Sequence, residues 1–583
     1  MRLKAGQRLM MRASRALDRV APWHRLPRPL GLVSLMGIRT ALRAHNLYDP
    51  APPREGEPAP PAGAAGRPFG RNQPLWAMPS RDPEDLLTPS PREISERLLA
   101  RNGAFIPVES LNLLAASWLQ FMVHDWLSHG SGAPGDEIRI PLAAGDRWAA
   151  RSPGDEMLVR RSRPSAAATA PPGEPVFDNT ETHWWDGSQL YGSTPARESE
   201  VREGEGGRLR MGPEGLLPVE ERTGVDLTGV SGNWWVGLGL MHTLFTGEHN
   251  RICAMLARSH PDWDDDRLFL TARRITAAVM AKIHTVEWTP AIVSHPTVRK
   301  AMRSNWYGLF GPRGSRALRR ITRKDSLIGI PGSPCDDHGV PFALTEEFVA
   351  VYRMHPLLPD RVALRNGADW NALTMLEVTG PAARMVMESY PLGDLLASFG
   401  HGRCGKLALH NYPDTLRDLH RGRSAGAGSE RRIDLAAVDL VRDRERGVPR
   451  YNDFRRMLRL APVASFEELT GGDSAAAAEI AAVYGDIERV DLMIGLYAEP
   501  LPPGFGFSET AFRIFVLMAS RRLKSDPLFT DRWGPEAYTA EGMRWIEDAT
   551  MAGVIARHVP ELTKTLAGLD NPFAPWGPEP AFN

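Results

Sequence analysis

Apolar positions recur along this chain at intervals of three and four. The stretches SWLQFMVHDWL (117–127), GLGLMHTLFTGEHNRICAML (237–256), RITAAVMAKIHTVEW (274–288) and SETAFRIFVLMASRRL (508–523) each hold that spacing over several turns, which lines one side of an α-helix. Strict alternation, the mark of a half-buried strand, is scarce, and no fixed-period repeat is found. The predicted class is mainly α, with very little β. Three segments break the pattern and read as linkers or long loops: APPREGEPAPPAGAAGRP (51–68), RPSAAATAPPGEP (163–175) and RGRSAGAGSE (421–430). The first sets off an N-terminal arm and linker, residues 1–68, from a body at 69–583 that shows no composition shift.

In the arm, Leu3, Met10, Leu17 and Val20 interleave with Arg8, Arg12, Arg15 and Arg19. A basic amphipathic helix of this kind either lies on an anionic membrane surface or packs on its own protein. It lacks the early apolar run and small-residue cleavage site of a secretory leader. The best candidate for a membrane span, LGLVSLMGI (30–38), falls well short of the ~18 to 20 apolar residues required. With 583 residues, 42% of them hydrophobic, the chain can bury a large core. Its 70 basic and 70 acidic side chains cancel, so no overall field favours nucleic acid. Cys253, Cys335 and Cys404 are too few and scattered for a disulfide framework. A reducing, cytoplasmic setting follows, with any membrane contact peripheral; oligomeric state is not encoded legibly.

Three polar clusters interrupt the apolar pattern. In the first, Gln120 and His124 are four apart and share one helical face, while Asp125 points about 100° away. His124 reads from spacing alone as a hydrogen-bonded core histidine or as a ligand-facing group; zinc is disfavoured, because His124 and His129 are five apart without the H-E-x-x-H pattern. In the second, THWWDGSQLYGST (182–194), Thr182, Trp184, Asp186 and Ser188 alternate. An extended loop would turn all four one way and present hydroxyl, carbonyl and carboxylate oxygens, the donors Ca²⁺ takes. A hydrophobic turn with a capping aspartate fits the same spacing. In the third, EEFVAVYRMHPLLPD (346–360), Tyr352 and His355 are three apart ahead of Pro356, on one face of a helix that the proline ends.

QFMVHD, WWDGSQLYGS, EHNR (248–251), YRMHPLLPD and RDRERGVPRYNDFRR (442–456) occur in that order. Together they resemble the landmarks of the peroxidase–cyclooxygenase superfamily of haem proteins. AKIHTVEWTPAIV (281–293), RSNWYGLFG (303–311) and FSETAFRIFVLMASRRL (507–523) are similar to its fatty acid α-dioxygenases, a likeness running from about Trp23 to Trp576.

The resemblance implies a helical haem peroxidase–cyclooxygenase-like fold and a set of roles. His124 corresponds to the distal histidine and Gln120 to the amide beside it. His355 corresponds to the proximal iron ligand, and Asn452 to an asparagine that accepts that ligand's other N–H. Arg442 and Arg446 correspond to the cations on the haem propionates, and Asp125, Thr182, Trp184, Asp186 and Ser188 to a calcium site. Tyr352 corresponds to a radical-forming tyrosine. His284, Thr289 and Arg522 correspond to the groups that hold a fatty acid carboxylate. Spacing does not bring that trio together: His284 and Thr289 lie about 140° apart on a continuous helix, and Arg522, beside Arg521 and Lys524, reads equally as a solvated basic face. Pro290 implies an irregularity after Thr289, since a residue before proline avoids helical backbone. Val123 stands where mammalian peroxidases carry an acid that esterifies haem, which implies non-covalent haem b. Gly232 replaces an arginine of the plant relatives. The implied activity uses H₂O₂ as activator: a Tyr352 radical abstracts hydrogen from C2 of a fatty acid, and O₂ adds to give a 2-hydroperoxide, which can lose CO₂ to leave a shorter aldehyde. The alternatives are a haem peroxidase of small reductants and a non-catalytic haem- or calcium-binding scaffold.

Overall fold

The computed structural model describes residues 21–50, 61–149, 155–165, 174–421 and 431–578. The amphipathic stretch at 1–20 lies outside them, as do parts of all three linkers. Helices dominate the described residues, and the strands form five separate two-stranded antiparallel sheets. This is the mainly α class that the three- and four-residue spacing predicts.

The polar clusters sit on or against helices α1 (Arg28–His45), α2 (Leu113–Val123), α3 (Val236–Ser259), α4 (Asp265–Ile283), α5 (Pro296–Tyr307), α6 (Gly311–Leu318), α7 (Glu346–Val351), α8 (Leu435–Glu445) and α9 (Glu509–Lys524). Helix α2 starts where the Asn112 side chain accepts the Ala115 N–H at 3.2 Å, an N-cap that satisfies one of the orphan donors of the first turn. Nine of its eleven side chains are buried, as a helix that is apolar all round requires. Its Trp118 ring lies 5.3 Å from Phe245 of α3 and 5.7 Å from Phe573. Emptying that position to alanine costs about 3–5 kcal/mol. Beyond Val123 the chain leaves the helix through His124, so the polar run HD sits at the end of an anchored rod.

The described N-terminal residues belong to the same core. Trp23 is fully buried and donates to Glu509 at 3.0 Å. From α1, Arg43 donates to the Leu517 carbonyl at 2.9 Å and to Ser520 at 2.8 Å, joining α1 to α9. The cations closing α9 are not a solvated face: Arg521, Arg522 and Lys524 are all buried. Arg521 meets the carbonyls of Asp337 and Val340, and Lys524 meets Ser333 and the Pro334 carbonyl. Among the described residues no helix is long and apolar enough to cross a membrane.

Candidate active site

Gln120 and His124 do share a face, and both are tied to the loop ahead of α3. The Gln120 amide donates to the Asn233 carbonyl at 3.2 Å and accepts from the Trp235 indole at 2.6 Å. His124 Nε2 meets the Gly232 carbonyl at 2.6 Å, so that nitrogen carries the proton, while Nδ1 is buried without a partner. Burial lowers the His124 pKa to about 4, leaving a neutral ring with a free lone pair at physiological pH. His242 of α3 lies behind it, ring centroids 6.2 Å apart, with both ring nitrogens buried and unpartnered. Nothing in the sequence singles out His242, whose apolar surroundings mark it only as core.

His355 opens a short 3₁₀ turn, His355–Leu357, after α7 has ended at Val351. The Tyr352–His355 pair is therefore set by a turn and not by a shared helical face. His355 Nδ1 donates to Asp439 at 2.8 Å, and Tyr412 donates to the same carboxylate oxygen at 3.0 Å. The other Asp439 oxygen accepts from Arg353 at 2.6 Å, and Asp443 takes a second bond from that guanidinium at 2.8 Å. Burial favours the neutral acid, but the His355 ring and the Arg353 cation hold Asp439 down to about 2. The assignment of Asn452 to this ring is overturned. Its amide instead bonds Val463 in both directions and Glu488, closing a local loop. Asp439 projects from α8 onto the ring, and it takes the role expected of Asn452. Asp439 stands three residues ahead of Arg442 in VDLVRDRERG, but nothing in that spacing points to His355.

Of the two α8 arginines, Arg442 bonds Glu445 at 2.6 Å, the Arg160 carbonyl and Ser162. Arg446 is buried and donates to the Ser162 hydroxyl at 3.2 Å; burial and the nearby Arg353 cation lower its pKa to about 10. His129 pairs with Glu346 at 2.8 Å and stacks on Phe69, an internal strut for α7.

Tyr352, His284 and Arg522 converge on two indoles. The Trp126 ring lies 5.5 Å from Tyr352 and 5.8 Å from His284, and Trp185 lies 5.2 Å from His284. The Arg522 guanidinium sits over both, at 4.2 Å from Trp126 and 5.4 Å from Trp185, where cation–π attraction compensates part of its desolvation. One of its nitrogens donates to the Trp184 carbonyl; Nε and Nη1 are buried with no partner. Burial lowers its pKa to about 9 and that of His284 to about 3, and raises that of the Tyr352 phenol. A narrow apolar recess beside the Tyr352 turn is lined by Ala350, Val351, Met354, Met493, Phe507 and Ala511.

Thr289 joins the trio through a feature that a 3.6-residue count misses. Residues His284–Trp288 form a wide helical turn in which the Thr289 N–H bonds the His284 carbonyl, five residues back. The Thr289 hydroxyl reaches the same carbonyl at 2.9 Å. The extra residue per turn brings positions 284 and 289 onto one face. Thr289 itself keeps helical backbone (φ −60°, ψ −42°), so the irregularity falls before it and not after it. Pro290 lacks the N–H that a regular helix would need there.

The calcium candidates are gathered only in part. Ser188 donates to Asp125 at 2.7 Å, the Gln189 N–H bonds the same carboxylate oxygen at 3.0 Å, and the other oxygen is buried without a partner. Burial and the Asp186 charge raise the Asp125 pKa to about 7. The Thr182 hydroxyl is likewise buried and unpartnered. The segment is not the extended loop that the alternation suggested: Gly187 is left-handed (φ 76°), and Ser188 begins a short helix with its N–H on Asp186 at 3.1 Å. The Trp184 carbonyl, assigned to the ion, faces Arg522. Among the described residues no three His, Cys, Asp or Glu side chains gather into a metal site, so a cation here depends on hydroxyl and carbonyl oxygens.

The sequence model of the animal haem peroxidase family matches residues 57–568. Alpha-dioxygenase 2 of Arabidopsis thaliana is 38% identical over 97% of this chain and 92% of its own. The chain is an α-dioxygenase of the animal haem peroxidase family. The crystal structure of the Oryza sativa fatty acid α-dioxygenase superposes with a TM-score of 0.88 at 35% identity, covering 99% of this chain and 98% of that one. A tyrosine-to-phenylalanine variant of the rice enzyme, solved with palmitic acid, gives 0.89 at 34% identity over the same shares. The residues of this α-dioxygenase suit a haem. The Nδ1 bond of His355 leaves Nε2 as its free lone pair, on a ring about one-third exposed (32%) away from buried Asp439. Arg446 is a buried cation answered by a hydroxyl, and Arg353 Nη2 is buried without a partner. Arg353 is already paired with Asp439 and Asp443, so it is Arg446 and the free Arg353 Nη2 that two propionates would meet.

Proposed function

We propose that this α-dioxygenase oxygenates fatty acids at C2, with Tyr352 as the hydrogen-abstracting group. One observation carries the reading: a buried guanidinium, Arg522, holds two unpartnered nitrogens beside a buried tyrosine and a neutral histidine. A carboxylate seated there would complete the arginine's bonds and set C2, the next carbon, within reach of the phenol. His284 is placed to donate to the same carboxylate, and the Thr289 hydroxyl would do so on turning away from the His284 carbonyl it now meets.

Haem held by His355 would supply, once activated by H₂O₂, a one-electron oxidant, to which Tyr352 gives up an electron and its phenolic proton to become a radical. His124, held neutral, takes a proton from the peroxide and returns it to the departing oxygen, with the Gln120 amide as donor. The Tyr352 oxygen then takes a hydrogen atom from C2, leaving a carbon radical to which O₂ adds. The resulting peroxyl takes the hydrogen back from Tyr352, which yields the 2-hydroperoxide and restores the radical, so atoms and electrons balance over the cycle. The haem is held non-covalently, since Val123 offers no carboxyl. Asp125, Thr182, Asp186 and Ser188 bind calcium, the Trp184 carbonyl being taken by Arg522, and thereby fix the end of α2 that presents His124.

Arg522→Ala tests the reading. Removing a desolvated charge partner is worth a few kcal/mol, so the KM for a free fatty acid should rise at least tenfold while haem content and peroxide reactivity stay native. Arg522→Lys should rescue in part, because lysine lacks the planar two-donor fork. Tyr352→Phe should abolish fatty-acid-dependent O₂ uptake and keep oxidation of small reductants. Oxygenation of methyl esters as well as free acids, or native kinetics in Arg522→Ala, would overturn the carboxylate seat. Loss of nothing in Tyr352→Phe would favour a peroxidase of small reductants.

A further inference from the structure

Overall neutrality conceals one strongly biased segment. Residues 288–324 carry nine Lys and Arg and no Asp or Glu. They continue directly from the turn that carries His284 and Thr289, through α5 and α6, and the two helices pack on each other.

Helix α6 presents this charge outward. Arg313, Arg316 and Ala317, at spacings of three and four, are all exposed, while Ser315 is buried beneath them. Arg319, Arg320, Arg323 and Lys324 follow, also exposed. Part of the patch is answered: Arg316 meets Glu547 at 3.3 Å and Arg323 meets Asp531 at 3.2 Å, both pairs in solvent, and Arg319 donates to the Ile328 carbonyl at 3.2 Å. Exposed pairs of that kind are worth little. Arg313, Arg320 and Lys324 make no ion pair among the described residues.

Two large apolar side chains bracket the same helix. Phe310, immediately before α6, is 64% exposed, and Ile321, just after it, is 80% exposed. Single exposed hydrophobics need no explanation, but two at the ends of one short cationic helix do. A polyanion such as nucleic acid would use the charge and leave these side chains in water. A bilayer uses both: phosphate headgroups meet the cations, and the apolar tips enter the acyl boundary.

We propose that the 299–324 surface, centred on α6, docks this protein on anionic lipid bilayers. The N-terminal stretch 1–20 is a separate cationic segment, so the test is made on the full chain with substitutions confined to this patch. The readout is co-sedimentation without substrate, which keeps the outcome independent of the C2 chemistry.

The native chain should partition onto vesicles of equal parts phosphatidylcholine and phosphatidylglycerol, and not onto phosphatidylcholine alone. Rising salt should weaken it as the Debye length shrinks. Each basic side chain near an anionic surface contributes about fivefold in partitioning. The triple variant Arg313→Gln, Arg320→Gln, Lys324→Gln should therefore fall about a hundredfold. Phe310→Ser with Ile321→Ser should lose the binding that survives at high salt. All five positions are exposed, so thermal midpoints should not change. Native binding by the triple variant would overturn the proposal and leave the vesicle contact to another part of the chain. Serine variants that bind vesicles as the native chain does, with duplex DNA captured by native protein and lost in the triple variant, would overturn it in favour of a polyanion site.

Discussion

Asp439→Ala is the sharpest perturbation of the proximal side. The carboxylate is buried and accepts three hydrogen bonds, from His355, Tyr412 and Arg353. Alanine leaves the Tyr412 hydroxyl without its acceptor and Arg353 with Asp443 alone. Breaking a buried ion pair from one side costs about 3–5 kcal/mol, and an unsatisfied buried hydroxyl adds about 1–3 kcal/mol. Relaxation and shared partners make these terms less than additive, so about 4 kcal/mol of stability should be lost. The His355 ring also loses the bond that fixes its tautomer, and partners of this kind are worth about 10–100-fold in metal affinity. Asp439→Asn separates the two effects. It keeps an acceptor for Nδ1–H but removes the negative charge, so it should retain haem while raising its reduction potential. Denaturant unfolding gives the first quantity, haem titration of the apoprotein the second, and spectroelectrochemistry the third. Native stability and haem affinity in Asp439→Ala, or an unmoved potential in Asp439→Asn, would refute the role given to this carboxylate.

Chelation of calcium should lower both thermal midpoint and haem retention; in Asp186→Ala a chelator should do nothing further, as metal analysis and the haem absorbance band will report. Glu287, whose pKa burial raises to about 7, takes up a proton on folding because its unfolded value is near 4.3. Its contribution is thus complete below about pH 4 and lost as pH rises through about 7, and Glu287→Gln, which keeps an acceptor for the Met551 N–H, should be more stable at pH 8 by at most about 4 kcal/mol and equal to native at pH 4.

The helical class was legible because burial of a helix face writes its period into the sequence, and the i, i+4 pairing of Gln120 and His124 held for the same reason. What failed were inferences that counted along the chain where the chain stops being regular. Tyr352 and His355 meet on a turn, and the residues around Ser188 curl where alternation suggested extension. Asp439 escaped because the partner of His355 is chosen by how α8 packs, which sequence distance does not encode. The burial of Arg521, Arg522 and Lys524 was hidden because three cations at a helix end usually mean solvent. Their carbonyl, hydroxyl and indole partners come from segments far away in sequence.

The wide turn at His284–Trp288 limits how this protein can change. Deleting Val286 would leave His284 and Thr289 four positions apart, still on one face of a regular helix. Pro290 would then stand inside that helix without the N–H it requires. The deletion should therefore cost stability, and a mutant library sorted for heat tolerance should purge it. The spare residue is what lets a proline and a polar pair share one short stretch.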